Sequence, residues 1–124
     1  MARIILKLGG SVVTRKDRPL TIDLRAIRRL CEELATSGTK RLIIVHGGGS
    51  YGHYLVRRFR LLPPTSSADR LSLAKVVQGM DSLSSAITGC LIGSGLPGVI
   101  IPTFSVATSR LGRIRALFMK TVSS

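Results

Sequence analysis

Arg41 to His53 reads RLIIVHGGGSYGH, and the fold follows from that stretch. Leu42-Ile43-Ile44-Val45 is apolar, rich in β-branched residues and without alternation, the composition of a strand buried on both faces. It stops at His46 and three glycines, Gly47 to Gly49, and a more helical stretch begins near Ser50. Consecutive glycines allow backbone approaches that side chains forbid. A helix starting there aims its free N–H groups and positive dipole end at the glycine turn. Such a turn is a ready anion site, most often for phosphate.

Before this stretch, Ile4 to Leu8 reads as a first strand running into Gly9-Gly10-Ser11. Lys7 sits within that strand beside the turn. A lysine there is either a snorkelling edge residue or a phosphate clamp at a strand's carboxyl end, where open α/β sheets bind ligands. The two adjacent glycines favour the clamp. Val12 to Leu20 reads as a polar loop, in which Lys16 by itself is a solvated charge. Thr21 to Ser37 reads as a helix: Thr21 or Asp23 can cap it, Leu24, Ile27, Cys31 and Leu34 recur at helical spacing, and Gly38 ends it. Strand, helix, strand implies parallel pairing through a right-handed crossover.

After the central stretch, Ser50 to Arg60 is an expected helix, broken by Pro63-Pro64, with Thr65-Ser66-Ser67 as loop or cap residues. Asp69 to Ile92 is a long helical pattern with Leu71, Ala74, Val77, Leu83, Ile87 and Leu91 on its apolar side. Gly93, Gly95 and Pro97 terminate it. Val99-Ile100-Ile101 reads as a third buried strand and Thr103 to Ser109 as a loop. Gly112 to Met119 reads as a strand with Ile114, Ala116 and Phe118 on one face.

The 124 residues suffice for one domain with a single core. With few aromatics and no Trp, that core must be aliphatic. No apolar run has the length of a membrane span, and the run after Met1-Ala2-Arg3 is too short for a secretory signal, so a cytoplasmic location is expected. Cys31 and Cys90 lack metal-like spacing and read as reduced core residues. Nineteen Lys+Arg against six Asp+Glu give a net charge of +13, which favours anionic partners. Aromatic residues do not interleave with the basic ones, so nucleic acid ranks below small phosphates as a ligand.

Gly47, Gly49 and Gly52 fit G-x-G-x-x-G, but no second strand ending in an acid follows at the distance a dinucleotide site needs. No glycine precedes Lys-Ser or Lys-Thr at Walker A spacing. Ser50 lacks the G-x-S-x-G frame of a hydrolase elbow. His46 and His53 have no Cys, Asp or Glu cluster nearby, so no metal ligands are assigned. His53, early in the helix after the glycines, can instead donate to a phosphate oxygen.

Lys7-Leu8-Gly9-Gly10-Ser11 followed by His46-Gly47-Gly48-Gly49-Ser50-Tyr51-Gly52-His53 resembles the amino acid kinase superfamily. His53 and Lys16 resemble those of the isopentenyl phosphate kinases within it. The resemblance runs over nearly the whole chain and implies a three-layer αβα sandwich with a mostly parallel sheet. It implies ATP-dependent phosphorylation of isopentenyl phosphate to isopentenyl diphosphate, a step of mevalonate-type isoprenoid biosynthesis, with Mg2+ and ATP as cofactors. By the same resemblance Lys7, Lys16 and His53 are catalytic. Lys7, Gly9, Gly10, Ser11 and Gly48 line the ATP phosphates, and Gly47, Gly52 and His53 hold the substrate phosphate. Family members are longer. Residues 1–124 then correspond to the amino-terminal, acceptor-binding domain, with the nucleotide-binding half of the fold lying outside them, and a homodimer is implied. The alternative is a non-catalytic basic module that binds nucleic acid or an acidic partner.

Overall fold

The structure is a computed structural model that describes residues 3–61, 70–111 and 113–123. Pro63-Pro64, Thr65-Ser66-Ser67, Asp69 and Gly112 lie outside the described residues. Strand β1 (Ile4–Leu8) leads into a single helical turn, α1 (Gly10–Val13), and then by a loop into α2 (Leu24–Thr36). Strand β2 (Leu42–His46) leads into α3 (Gly49–Arg58), and α4 (Arg70–Gly93) follows. The chain closes with a short turn of helix α5 (Thr103–Val106), strands β3 (Ala107–Arg110) and β4 (Arg113–Leu117), and α6 (Lys120–Ser123).

β1 and β2 pair in parallel, from Ile4 opposite Leu42 to Leu8 opposite His46. The register brings both strand ends, and so both glycine turns, to the same edge. This is the α/β arrangement with parallel strands that the strand–helix–strand order predicts. α2 is capped by the Asp23 carboxylate, which accepts from the Ala26 N–H at 3.1 Å. Gly38, at φ +68°, takes the left-handed conformation that ends it. Ile27 and Cys31 of α2 face Leu8, Val13, Leu83, Ile87 and Leu91 in one aliphatic core. Each fully buried aliphatic side chain stabilises by about 1.5–3 kcal/mol. Both cysteines are free thiols. Burial pushes the Cys31 thiol above its ordinary value, because no solvent is there to stabilise a thiolate.

Four expectations are corrected. β2 is not buried on both faces: Val45 is 49% exposed, because among the described residues no element is packed closely enough over that face of the parallel pair to bury it. Val99-Ile100-Ile101 forms no strand. β-branched composition favours extended backbone, but a strand needs a paired neighbour, and Val99 is 87% exposed with none. Thr103 to Ser109 is not a loop but α5 and most of β3, the latter paired antiparallel with β4. The α4 apolar side buries only its carboxyl-terminal half: Leu83, Ile87 and Leu91 are in the core, whereas Leu71 and Val77 are exposed. β4 itself is present, though Ile114 and Phe118 point at solvent.

Candidate active site

The two glycine turns touch. A Cβ on Gly10 would overlap the backbone N and Cα of Gly49, and one on Gly47 would lie 2.9 Å from the Gly10 N. Gly49 is at φ +48°, and a Cβ there would strike the Thr14 hydroxyl and the Gly10 carbonyl. No side chain fits at this junction, which explains why glycines occupy it.

Thr14 ties the junction. Its hydroxyl donates to the Gly10 carbonyl at 2.6 Å and accepts from the Ser50 N–H at 3.0 Å, and the residue is 2% exposed. Ser50 passes the connection on: its hydroxyl accepts from the Thr21 N–H at 3.3 Å and lies 3.4 Å from the Thr21 carbonyl. The Ser50 N–H is thus spent on Thr14 and is not offered to a ligand. The backbone N–H groups of Gly10, Ser11, Gly48 and Gly49 have no hydrogen-bond partner among the described residues. Unpartnered backbone donors at two abutting turns are groups that can bind an anion.

A groove of about 600 Å³ opens over the junction. Gly10, Ser11 and Gly49 line it together with Lys16 from the loop after α1 and His53 from α3. Both side chains are exposed, and neither makes an ion pair among the described residues. Asp17, next to Lys16, is held by Arg15 at 3.1 Å. The Arg15 guanidinium keeps that carboxyl below its usual range. This pairing stabilises above the ordinary carboxylate pKa and is lost only as pH falls through the lowered one.

The remaining expected residues stand elsewhere. Lys7 lies opposite Val45 in the parallel pair, is exposed, and is not among the residues that line this groove. Gly9, Gly47, Gly48 and Gly52 do not line the groove either. Gly48 has a packing reason to be small: a Cβ on it would sit 2.8 Å from the Gly52 Cα and 3.0 Å from the Met80 sulfur of α4. His46 is structural, its Nε2 2.8 Å from the Ser84 hydroxyl, which links β2 to α4. Sequence reasoning missed Thr14, because a threonine in a polar loop carries no pattern. It also missed Arg57, which spacing could have found: Ser50, His53, Tyr54 and Arg57 fall on one face of a helix.

The family model of the amino acid kinase family matches residues 2–123. The chain belongs to the amino acid kinase family. It is 32% identical over 117 residues to the isopentenyl phosphate kinase of Methanothermobacter thermautotrophicus, a match covering 90% of this chain and 44% of that one. To the isopentenyl phosphate kinase of Thermoplasma acidophilum it is 34% identical over 100 residues, covering 80% of this chain and 40% of the relative. A solved isopentenyl phosphate kinase superposes with a TM-score of 0.90 at 30% identity, over 98% of this chain and 52% of the other. The α/β family fold is therefore present, and the chain spans about half the length of the relatives it matches. Among the described residues no helix is long and apolar enough to cross a membrane. The alternative of a basic module binding nucleic acid finds no support in these likenesses.

Proposed function

We propose that this chain supplies the acceptor-phosphate half of an ATP-dependent isopentenyl phosphate kinase. The observation that carries the proposal is the pair of abutting glycine turns with unpartnered N–H groups, and over them a groove lined by Gly10, Ser11, Gly49, Lys16 and His53. Phosphoryl transfer asks a protein mainly for positioning and charge neutralisation, and this arrangement offers both. His53 donates to the acceptor phosphate and sets its attacking oxygen. Lys16 neutralises the charge that accumulates as the phosphoryl group passes. Lys7, at the end of β1, neutralises the donor phosphates, with Gly9, Gly10, Ser11 and Gly48 giving them close backbone approach. Gly47 and Gly52 do the same for the substrate phosphate.

ATP supplies the phosphoryl group when bound. The side-chain-free turns fit its phosphate end. Mg2+ is different: no group of three His, Cys, Asp or Glu side chains that could hold a metal ion exists among the described residues, so no protein-borne metal step is derived.

Titration calorimetry with isopentenyl phosphate, and with isopentenol as the ligand lacking a phosphate, tests the proposal. Saturable binding of the first in moderate salt, without binding of the second, is expected. Equal binding of both, or of neither, contradicts it.

A further inference from the structure

The Gly47–Gly48 peptide is held differently from its two neighbours. The Gly47 N–H donates to the Leu8 carbonyl at 3.0 Å, so the peptide before it is fixed to β1. The Gly48 carbonyl accepts from the Tyr51 and Gly52 N–H groups at 2.9 and 3.0 Å, so the peptide after it is fixed by the first turn of α3. Between them, the Gly47 carbonyl has a single partner among the described residues, the Nδ1 of His46 at 3.1 Å. The N–H of that same peptide, on Gly48, has none among them. With glycine on both sides, no Cβ restrains rotation of this peptide.

The ring is itself held at its far side. A carbonyl only accepts, so Nδ1 carries the ring proton. In the neutral ring Nε2 is then an acceptor, and the Ser84 hydroxyl of α4, at 2.8 Å, donates to it. Ser84 is thereby withdrawn from its own helix. Ser82, two residues earlier, makes the ordinary bond to the carbonyl four residues back, that of Gln78 at 3.0 Å. His46 and Ser84 are both half-buried, and neither lines the groove.

We propose that His46, anchored by Ser84, is a positioning residue for phosphate binding at the glycine turns. The inference rests on the phosphate-site reading above. In a trans peptide the C=O and the N–H point in opposite directions. By holding the Gly47 carbonyl toward its ring, His46 keeps the Gly48 N–H turned away from the ring and available as a donor. Rotation of the peptide would put a carbonyl oxygen where that N–H stands, and a carbonyl oxygen repels an anion. α4 thus contributes to the turn through two hydrogen bonds, without a residue of its own on the groove. The phosphate served belongs either to isopentenyl phosphate or to ATP.

The test uses side chains that each keep one ring nitrogen: the amide nitrogen of Asn stands in for Nδ1, that of Gln for Nε2. The whole chain and its variants are titrated with isopentenyl phosphate and with ATP, reading affinity and the amide NMR signal of Gly48. In wild type at least one of the two ligands is expected to shift that signal, and it names the phosphate the peptide serves. His46→Asn is expected to keep the shift and most of the affinity, although it gives up the Ser84 contact. His46→Gln, which keeps that contact, is expected to lose the shift and about tenfold in affinity, the size of one hydrogen bond to a charged group. Ser84→Ala frees the ring and weakens binding to a smaller extent, and Ser84→Thr restores it. This second pair carries the test if the His46 variants fail to fold. Affinity unchanged in His46→Gln, or equal losses in the Asn and Gln variants with the Gly48 shift intact, makes the link purely structural. Either result overturns the positioning role and leaves the phosphate site standing. Binding of neither ligand by the folded wild-type chain overturns both.

Discussion

At the scale of single residues, Thr14 does most to join the two turns. Its hydroxyl closes one turn through the Gly10 carbonyl and holds the other through the Ser50 N–H, both from a buried position. Thr14→Val keeps the shape and removes both bonds. It is expected to destabilise by about 1–3 kcal/mol, the cost of leaving polar groups unsatisfied in the interior. Thr14→Ser retains the hydroxyl and should lose less. Urea unfolding of the two variants checks this, and equal losses would mean that methyl packing, not the hydroxyl, decides the position. Thr14 was not legible beforehand, since its two partners lie 4 and 36 positions away along the chain and only the parallel register brings them together.

At the scale of elements, legibility followed the apolar pattern. Leu42–His46 declared itself because an uninterrupted aliphatic run ending in glycines has few other readings, and Leu24–Thr36 did so because its apolar residues keep helical period. The α1 turn is four residues long, too short for any period to show. β3 is Ala-Thr-Ser-Arg, without apolar alternation, and is held by its ladder to β4 rather than by a core. Val99–Ile101 gave the opposite error, because composition is local and pairing is not. The glycine turns were legible as tight turns at the strand ends, but the groove's arginines were not separable from surface charge. The α2 cap gives an element-scale prediction. Asp23→Ala should cost about 1 kcal/mol and Asp23→Asn should cost less, since only a side-chain acceptor for the Ala26 N–H is required. Thermal melts of the two variants check it, and indistinguishable losses would refute the capping role.

At the scale of the whole molecule, the charge of +13 allows two kinds of anion binding that respond differently to salt. Diffuse attraction of a polyanion weakens steeply as salt rises. A ligand held by glycine N–H groups, Lys16 and His53 inside a groove keeps most of its affinity, because short-range hydrogen bonds are screened less. The measurement that tests the central claim most directly is therefore isopentenyl phosphate binding by calorimetry at moderate salt, on wild type and on His53→Ala. Single-site binding by the wild-type chain, weakened about tenfold in the variant with the fold retained, is the predicted result. Binding by His53→Ala as tight as wild type, or no saturable binding by the folded wild-type chain, would contradict the account.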